Sequence, residues 1–248
     1  MITPDMATIT DHPADMSIER AIASAAPAGV AAATLFAWFS PAFPTGGFGY
    51  SHGLEAAVAE GRVKYEADLG GWIGAVLSRG AGWTDAVLLA LAHTATANGA
   101  VDEQLRLIDL ASALAPSKER LAESLDQGEA FLTAVRAGWP DAVAKDTPGR
   151  LGYAVAAGIA AAGLGCDQRP ATSAYLTGFC ANLAAAGLRL GLCGQTGSVR
   201  IIAALGPVIA AIAERAAHAE ESDLGGCALG VDIASMRHET LNGRLFLS

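Results

Sequence analysis

Residues 101–137 read VDEQLRLIDLASALAPSKERLAESLDQGEAFLTAVRA. Leu107, Leu110, Ala111 and Leu114 recur at i, i+3, i+4 and i+7, which places them on one face of an α-helix. Pro116 interrupts the pattern. Ser117 follows it, a residue type that caps helices by accepting from a free backbone N–H. Leu121, Leu125, Leu132 and Val135 then resume a stripe of the same kind. Two helices are predicted, 101–115 and 117–137.

The flanking composition is also rich in Ala and Leu, which favour helix interiors, and short of the β-branched runs that favour strands. Thr84-Asp85 opens a helix that closes before Asn98-Gly99. Helices are predicted near 30–39, 51–60, 66–79, 84–97, 150–165, 171–192, 198–218 and 222–237. No segment alternates with period two for long enough to make a strand. The expected fold is all-α, a single-domain helical bundle of about ten helices over residues 30–237. Residues 1–29, acidic and then Ala/Pro-rich, are expected to form a flexible N-terminal segment. Residues 238–248 are expected to form a tail rather than a helix. Gly158, Gly163 and Gly187 fall within predicted helices, where each costs about 1 kcal/mol against Ala. They mark either close helix–helix approach or misplaced turns.

The chain has 248 residues, 52% of them hydrophobic and only 17% charged, with net charge -9. An average soluble chain is about 25% charged. Apolar patches should therefore stay exposed unless another protein, such as a second copy, covers them. The acidic balance makes nucleic acid and anionic membranes poor partners. Cys166, Cys180, Cys193 and Cys227 are too few for a disulfide framework in a chain this long. The start lacks the positive residues and apolar core of a secretory signal, and no segment reads as a membrane span. A cytoplasmic location is the expectation.

Gly49-Tyr50-Ser51-His52-Gly53 matches the G-x-S-x-G nucleophile elbow of serine hydrolases, which needs a strand before it and a parallel sheet around it. The residues before it are Pro- and Gly-rich, and strands are missing from the pattern. Asp223 or Asp232 followed by His238 would keep the order of a triad, but order alone is weak evidence. Phosphate loops are excluded by the absence of a Gly-Lys-Ser/Thr. His52 and Glu55 stand one helical turn apart, and such a pair is able to share an ion; solvation or hydrogen bonding is the commoner state, and no dedicated metal site is expected. Arg189 and Gln195 interrupt a very apolar run. They are either the polar groups of a helix–helix turn or a polar spot on a partner surface. The ending HETLNGRLFLS places three large apolar residues, Leu245, Phe246 and Leu247, next to its last residue, and they either fold back on the domain or await a partner.

Three segments together resemble the urease accessory protein UreF family. They are Pro44-x-Gly46-Gly47-Phe48-x-Tyr50-Ser51-x-Gly53-Leu54-Glu55, then Arg189-Leu190 with Gly194-Gln195, and last Arg244-Leu245-Phe246-x-Ser248 with His238-Glu239 upstream. Where that family often carries a further Gly-Gln, this chain has Ser198-Val199. The resemblance implies an all-α homodimer without enzymatic activity or a resident cofactor. It would bind UreD (also called UreH), recruit the GTPase UreG, and so pass nickel in transit to apo-urease. The parts expected to contact partners are the 44–55 segment (Tyr50, His52, Glu55), Arg189, Gln195 and the ending. In the ending, Leu245 and Phe246 would be apolar anchors, Arg237 and Arg244 charged contacts, and His238 and Glu239 their neighbours. A tail mobile in the free protein is expected.

Overall fold

The computed structural model describes residues 27–248. Helices α1 (Pro27–Trp38), α2 (Leu54–Ala59), α3 (Glu66–Arg79), α4 (Ala81–Ala97), α5 (Val101–Ala113) and α6 (Lys118–Gly138) occupy the first part. Helices α7 (Tyr153–Gly163), α8 (Gln168–Arg189), α9 (Gln195–Ala216) and α10 (Leu229–His238) complete it, with 3-10 turns at Gly47–Gly49 and Glu221–Asp223. No strand occurs among the described residues. The expectation of an all-α, single-domain fold therefore holds. The flexible segment expected at the start lies outside the described residues as far as residue 26, whereas residues 27–29 already belong to α1.

The core sits on α4 and α7, which pack against each other more extensively than any other pair. Every residue from Ala154 to Ala161 of α7 is buried, as a helix apolar on all sides must be. A Cβ on Gly158 would collide with the carbonyl of Leu89 on α4, and one on Gly187 of α8 would enter the side chain of Leu69 on α3. These glycines mark close approach, not misplaced turns. Ser117 caps α6 as expected, its Oγ accepting from Arg120 N at 3.2 Å. Thr84-Asp85 does not start α4, which begins at Ala81; Asp85 instead faces inward and accepts from the Tyr175 hydroxyl at 2.8 Å. The last helix starts at Leu229 rather than 222, because the chain between runs through a 3-10 turn and then Gly225 at φ 99°.

Helix α9 is long and apolar enough to cross a membrane by length and composition, contrary to the expectation that no segment reads as a span. Here it packs lengthwise on α8. Its Arg200 donates to both carboxylate oxygens of Glu66 on α3.

Where α1 ends, an aromatic knot fixes the next segment. Trp38 meets Phe131 and Trp139 edge-on at 5.5 and 5.6 Å, while Phe43 leans on Phe131 at 5.6 Å. Edge and tilted contacts of this kind add about 0.5–1.5 kcal/mol each beyond burial. Residues 39–46 are thereby tied to α6, and the 44–55 segment leaves from a fixed point.

Candidate functional site

The 44–55 segment turns sharply three times, at Gly46 (φ 72°), His52 (φ 54°) and Gly53 (φ 72°). Left-handed backbone is cheap only for glycine, so His52 is held there by its surroundings. Gly53 has a second constraint. A Cβ there would lie 2.6 Å from the backbone nitrogen of Ser235, so α10 crosses directly over it.

The end of the chain closes this corner. Leu247 N donates to Gly49 O at 2.8 Å, and Ser51 N to Ser248 O at 2.9 Å. The Ser51 hydroxyl donates to the same Ser248 oxygen and accepts from Glu55 N at 3.3 Å. Glu55 is the hub: its carboxylate accepts from Leu245 N at 2.7 Å and Phe246 N at 3.0 Å. His238, fully buried, sits between two carboxylates, Nδ1 at 2.7 Å from Glu119 and Nε2 at 3.0 Å from Glu55. Arg244 pairs with the other oxygen of Glu119. Arg189, from the last turn of α8, donates to the Phe48 carbonyl and lies 4.1 Å over the Phe246 ring. A guanidinium over an aromatic face contributes about 0.5–2 kcal/mol, the more as water is excluded.

Beneath this layer lies a buried ion pair on α6. Glu123, 1% exposed, binds Arg120, receives Ser248 Oγ at 2.6 Å and Gln127 Nε2 at 3.1 Å, and lies 2.7 Å from His52 Nδ1. Burial alone would push its carboxyl up, but Arg120 and His52 outweigh that and hold it at about 2. Burial, reinforced by Arg120, depresses His52, whose Nδ1 lies between Arg120 Nη1 at 2.9 Å and the Glu123 carboxylate at 2.7 Å. Burial pushes Asp85, on the far side of Arg120, up to about 6. Tyr50, buried with its hydroxyl 3.4 Å from Asp126, is raised to about 12 by burial and that carboxylate.

Of the residues singled out from sequence, Tyr50, His52, Glu55, Arg189, His238, Arg244, Leu245 and Phe246 converge here. Arg237 is exposed beside them and pairs with Glu60 at 2.9 Å. Gln195 and Glu239 are exposed and make none of these hydrogen bonds. Two expectations need correcting. The tail expected to be mobile is docked in the structure, where residues 245–248 are held by hydrogen bonds of their own backbone. Phe246 is 3% exposed and seated within its own chain, so it is not a free anchor; Leu245 points outward. His52 and Glu55 diverge, one to Glu123 and the other to the tail, so they do not form a shared ion site. No cluster of three or more potential metal ligands exists among the described residues.

Arg120, Glu123, Gln127, Glu119 and Ser248 were not anticipated. Leu121 and Leu125 are only half-buried, while Arg120, Glu123 and Gln127 are buried together with Phe131. Their spacing to Phe131 places them on the aromatic face, the one signal that pointed inward.

The arrangement does not suit nucleophilic catalysis. Ser51 is fully buried with its hydroxyl spent on backbone, and no strand precedes it among the described residues. His238 faces Glu119 and Glu55, not Ser51. What the corner does is lock two distant segments together while leaving apolar side chains outside: Phe48 is 74%, Leu245 70% and Leu247 65% exposed. Fold and site define an all-helical protein whose most elaborate polar cluster serves its own architecture rather than a reaction. The comparisons agree. The sequence profile described as UreF matches residues 63–206. A urease accessory protein UreF from Mesorhizobium japonicum is 43% identical over 223 residues, covering 90% of this chain and 98% of that protein. Those named for Rhizobium leguminosarum bv. viciae and Methylobacterium sp. are each 44% identical, over 214 and 218 residues; both cover 86% of this chain, and 95% and 87% of their own length. The chain belongs to the UreF family of urease accessory proteins, which are chaperones rather than enzymes.

Proposed function

We propose that this chain is a non-enzymatic bridge in urease maturation. It binds UreD/UreH and recruits the GTPase UreG, and the assembly delivers nickel into apo-urease. It works as a homodimer in the cytoplasm, and neither nucleic acid nor a membrane is a partner. Nickel is cargo passing through the complex, not a resident cofactor of this chain. The observation that carries this reading is the outer face of the locked corner. Phe48, Leu245 and Leu247 are held in water by a frame pinned by backbone hydrogen bonds at Phe48, Gly49, Ser51 and residues 245–248, so docking there spends little on ordering. Arginine, here Arg189 bonded to the Phe48 carbonyl, is among the residue types enriched at binding hot spots.

The test is a Phe48→Asp, Leu245→Asp double variant co-expressed with UreD/UreH and UreG. Both side chains already face water, so the circular dichroism spectrum and melting temperature should hold. Co-purification and urease activation should be lost. Undiminished co-purification would remove this face from the bridge.

A further inference from the structure

Under the 39–48 segment lies a cavity of about 320 Å³ that α1, α6, α7 and α8 also wall. Six rings line it: Trp38, Phe39, Phe43, Tyr153, Tyr175 and Phe179. The exposed side chains of Pro41, Pro44 and Phe48 form its rim and place its mouth at the surface. Its volume is at the lower end for small-molecule sites, which are mostly apolar with a few convergent polar groups.

Most polar groups of the wall are spent within the protein. Asn182 donates to the Gly47 carbonyl at 2.6 Å, Gln127 to Glu123 at 3.1 Å, and the Tyr175 hydroxyl to Asp85 at 2.8 Å. Two are not. Trp38 Nε1 and His52 Nε2 are buried without a hydrogen-bond partner among the described residues, and both side chains line this cavity. Buried polar atoms are nearly always paired, because an unmet one forfeits its hydration for nothing. On His52 it is Nδ1 that meets Arg120 and Glu123, so Nε2, across the ring, points away from them. Either tautomer leaves it wanting. If Nδ1 accepts from Arg120, Nε2 carries an N–H with no acceptor; if Nδ1 donates to Glu123, Nε2 presents a bare lone pair. His52 also holds left-handed backbone at φ 54°, a strain of the kind that gathers at ligand sites.

Charge narrows the guest. Among the described residues, Glu123 is the one carboxylate on the wall, and it already binds Arg120 and receives Gln127 and Ser248. An anion would meet that carboxylate, a cation would offer no lone pair to the Trp38 N–H, and either would be buried without a free counter-charge. We propose that this cavity binds a small, uncharged aromatic molecule whose acceptor oxygen takes the Trp38 N–H and whose hydroxyl or amide meets His52 Nε2. At the ~30 Å³ that a water occupies in the liquid, the space holds about ten non-hydrogen atoms. The site stands on the cavity alone, whichever protein docks on the corner.

The probe is 4-hydroxybenzamide, whose carbonyl accepts and whose hydroxyl both donates and accepts, so that it suits either tautomer. It is titrated into the nitrogen-15-labelled full chain up to about 10 mM, where a ligand of this size at ordinary efficiency is at least half bound. The indole N–H resonance of Trp38, assigned with Trp38→Phe, should move downfield and saturate. That of Trp72 should stay in place, since its Nε1 is likewise unpartnered but lies outside this cavity. His52→Asn, a residue type that tolerates left-handed backbone, should bind at least tenfold more weakly. Should that variant fail to fold, the unaltered chain still decides, because the charged isostere 4-hydroxybenzoate should bind at least tenfold more weakly than the amide. No saturable shift, as for a cavity that takes only water, would overturn the proposal. So would equal shifts at Trp38 and Trp72, or equal binding of the benzoate.

Discussion

Replacing Glu123 by Gln isolates the ion pair under the corner. The side chain keeps its size but loses its charge, taking from the buried Arg120 guanidinium its directly bonded counter-ion and leaving only Asp85 beyond it. Removing one partner of a buried pair costs about 3–5 kcal/mol. An independent route gives a similar value. The carboxyl is held at about 2 against an ordinary 4.5, and each pKa unit is worth about 1.4 kcal/mol, so its charged form contributes on the order of 3 kcal/mol at neutral pH. The folded pKa is the lower one. The contribution is therefore complete above about pH 4.5 and drains away as pH falls towards 2. Urea unfolding followed by far-UV circular dichroism should place Glu123→Gln about 3 kcal/mol below the unaltered protein at pH 7. Near pH 2 the two curves should approach each other, since the native carboxyl is then protonated as well. A gap below 1 kcal/mol at pH 7, or one that stays constant down to pH 2, would refute the claim that a charged Glu123 organises this site.

Ser51→Ala should remove one hydroxyl that both donates and accepts, costing about 1–2 kcal/mol by thermal unfolding, and neither form should turn over p-nitrophenyl esters. Gly158→Ala should destabilise by at least 2 kcal/mol, because the added methyl meets the Leu89 carbonyl. Gly71→Ala, whose methyl meets nothing within 4 Å, should instead raise stability by up to about 1 kcal/mol; equal effects in the two would contradict the packing described. Light scattering at micromolar concentration should report about twice the 25.1 kDa chain mass, and a monomer throughout would argue against the homodimer.

Helix positions were legible because they follow from local signals. Helix α3 falls on the predicted residues, and α5, α6 and α8 within a few of theirs, since period and capping are written into neighbouring residues. The inward face of α6 was legible only in its second half. Leucine stripes assume that charge faces water, and here Arg120, Glu123 and Gln127 satisfy one another inside. The tail was ambiguous for a different reason. Apolar side chains at the end of a chain are compatible with burial in cis or in trans, and the hydrogen bonds that decide between them involve backbone atoms some two hundred residues apart, which no local pattern records.

That separation has a consequence for how the protein is made. Ser51 finds its partner 197 residues further along. At translation rates of about 5–20 residues per second, this means a wait of roughly 10–40 s. During that interval α1 through α8 can already have collapsed around α4 and α7, while Gly49, Ser51 and Glu55 still face solvent on the nascent chain. The corner thus closes after the helices that precede residue 190. A chain whose synthesis stops short would carry a folded helical body with these backbone groups and the seat of Phe246 left open to whatever meets it first.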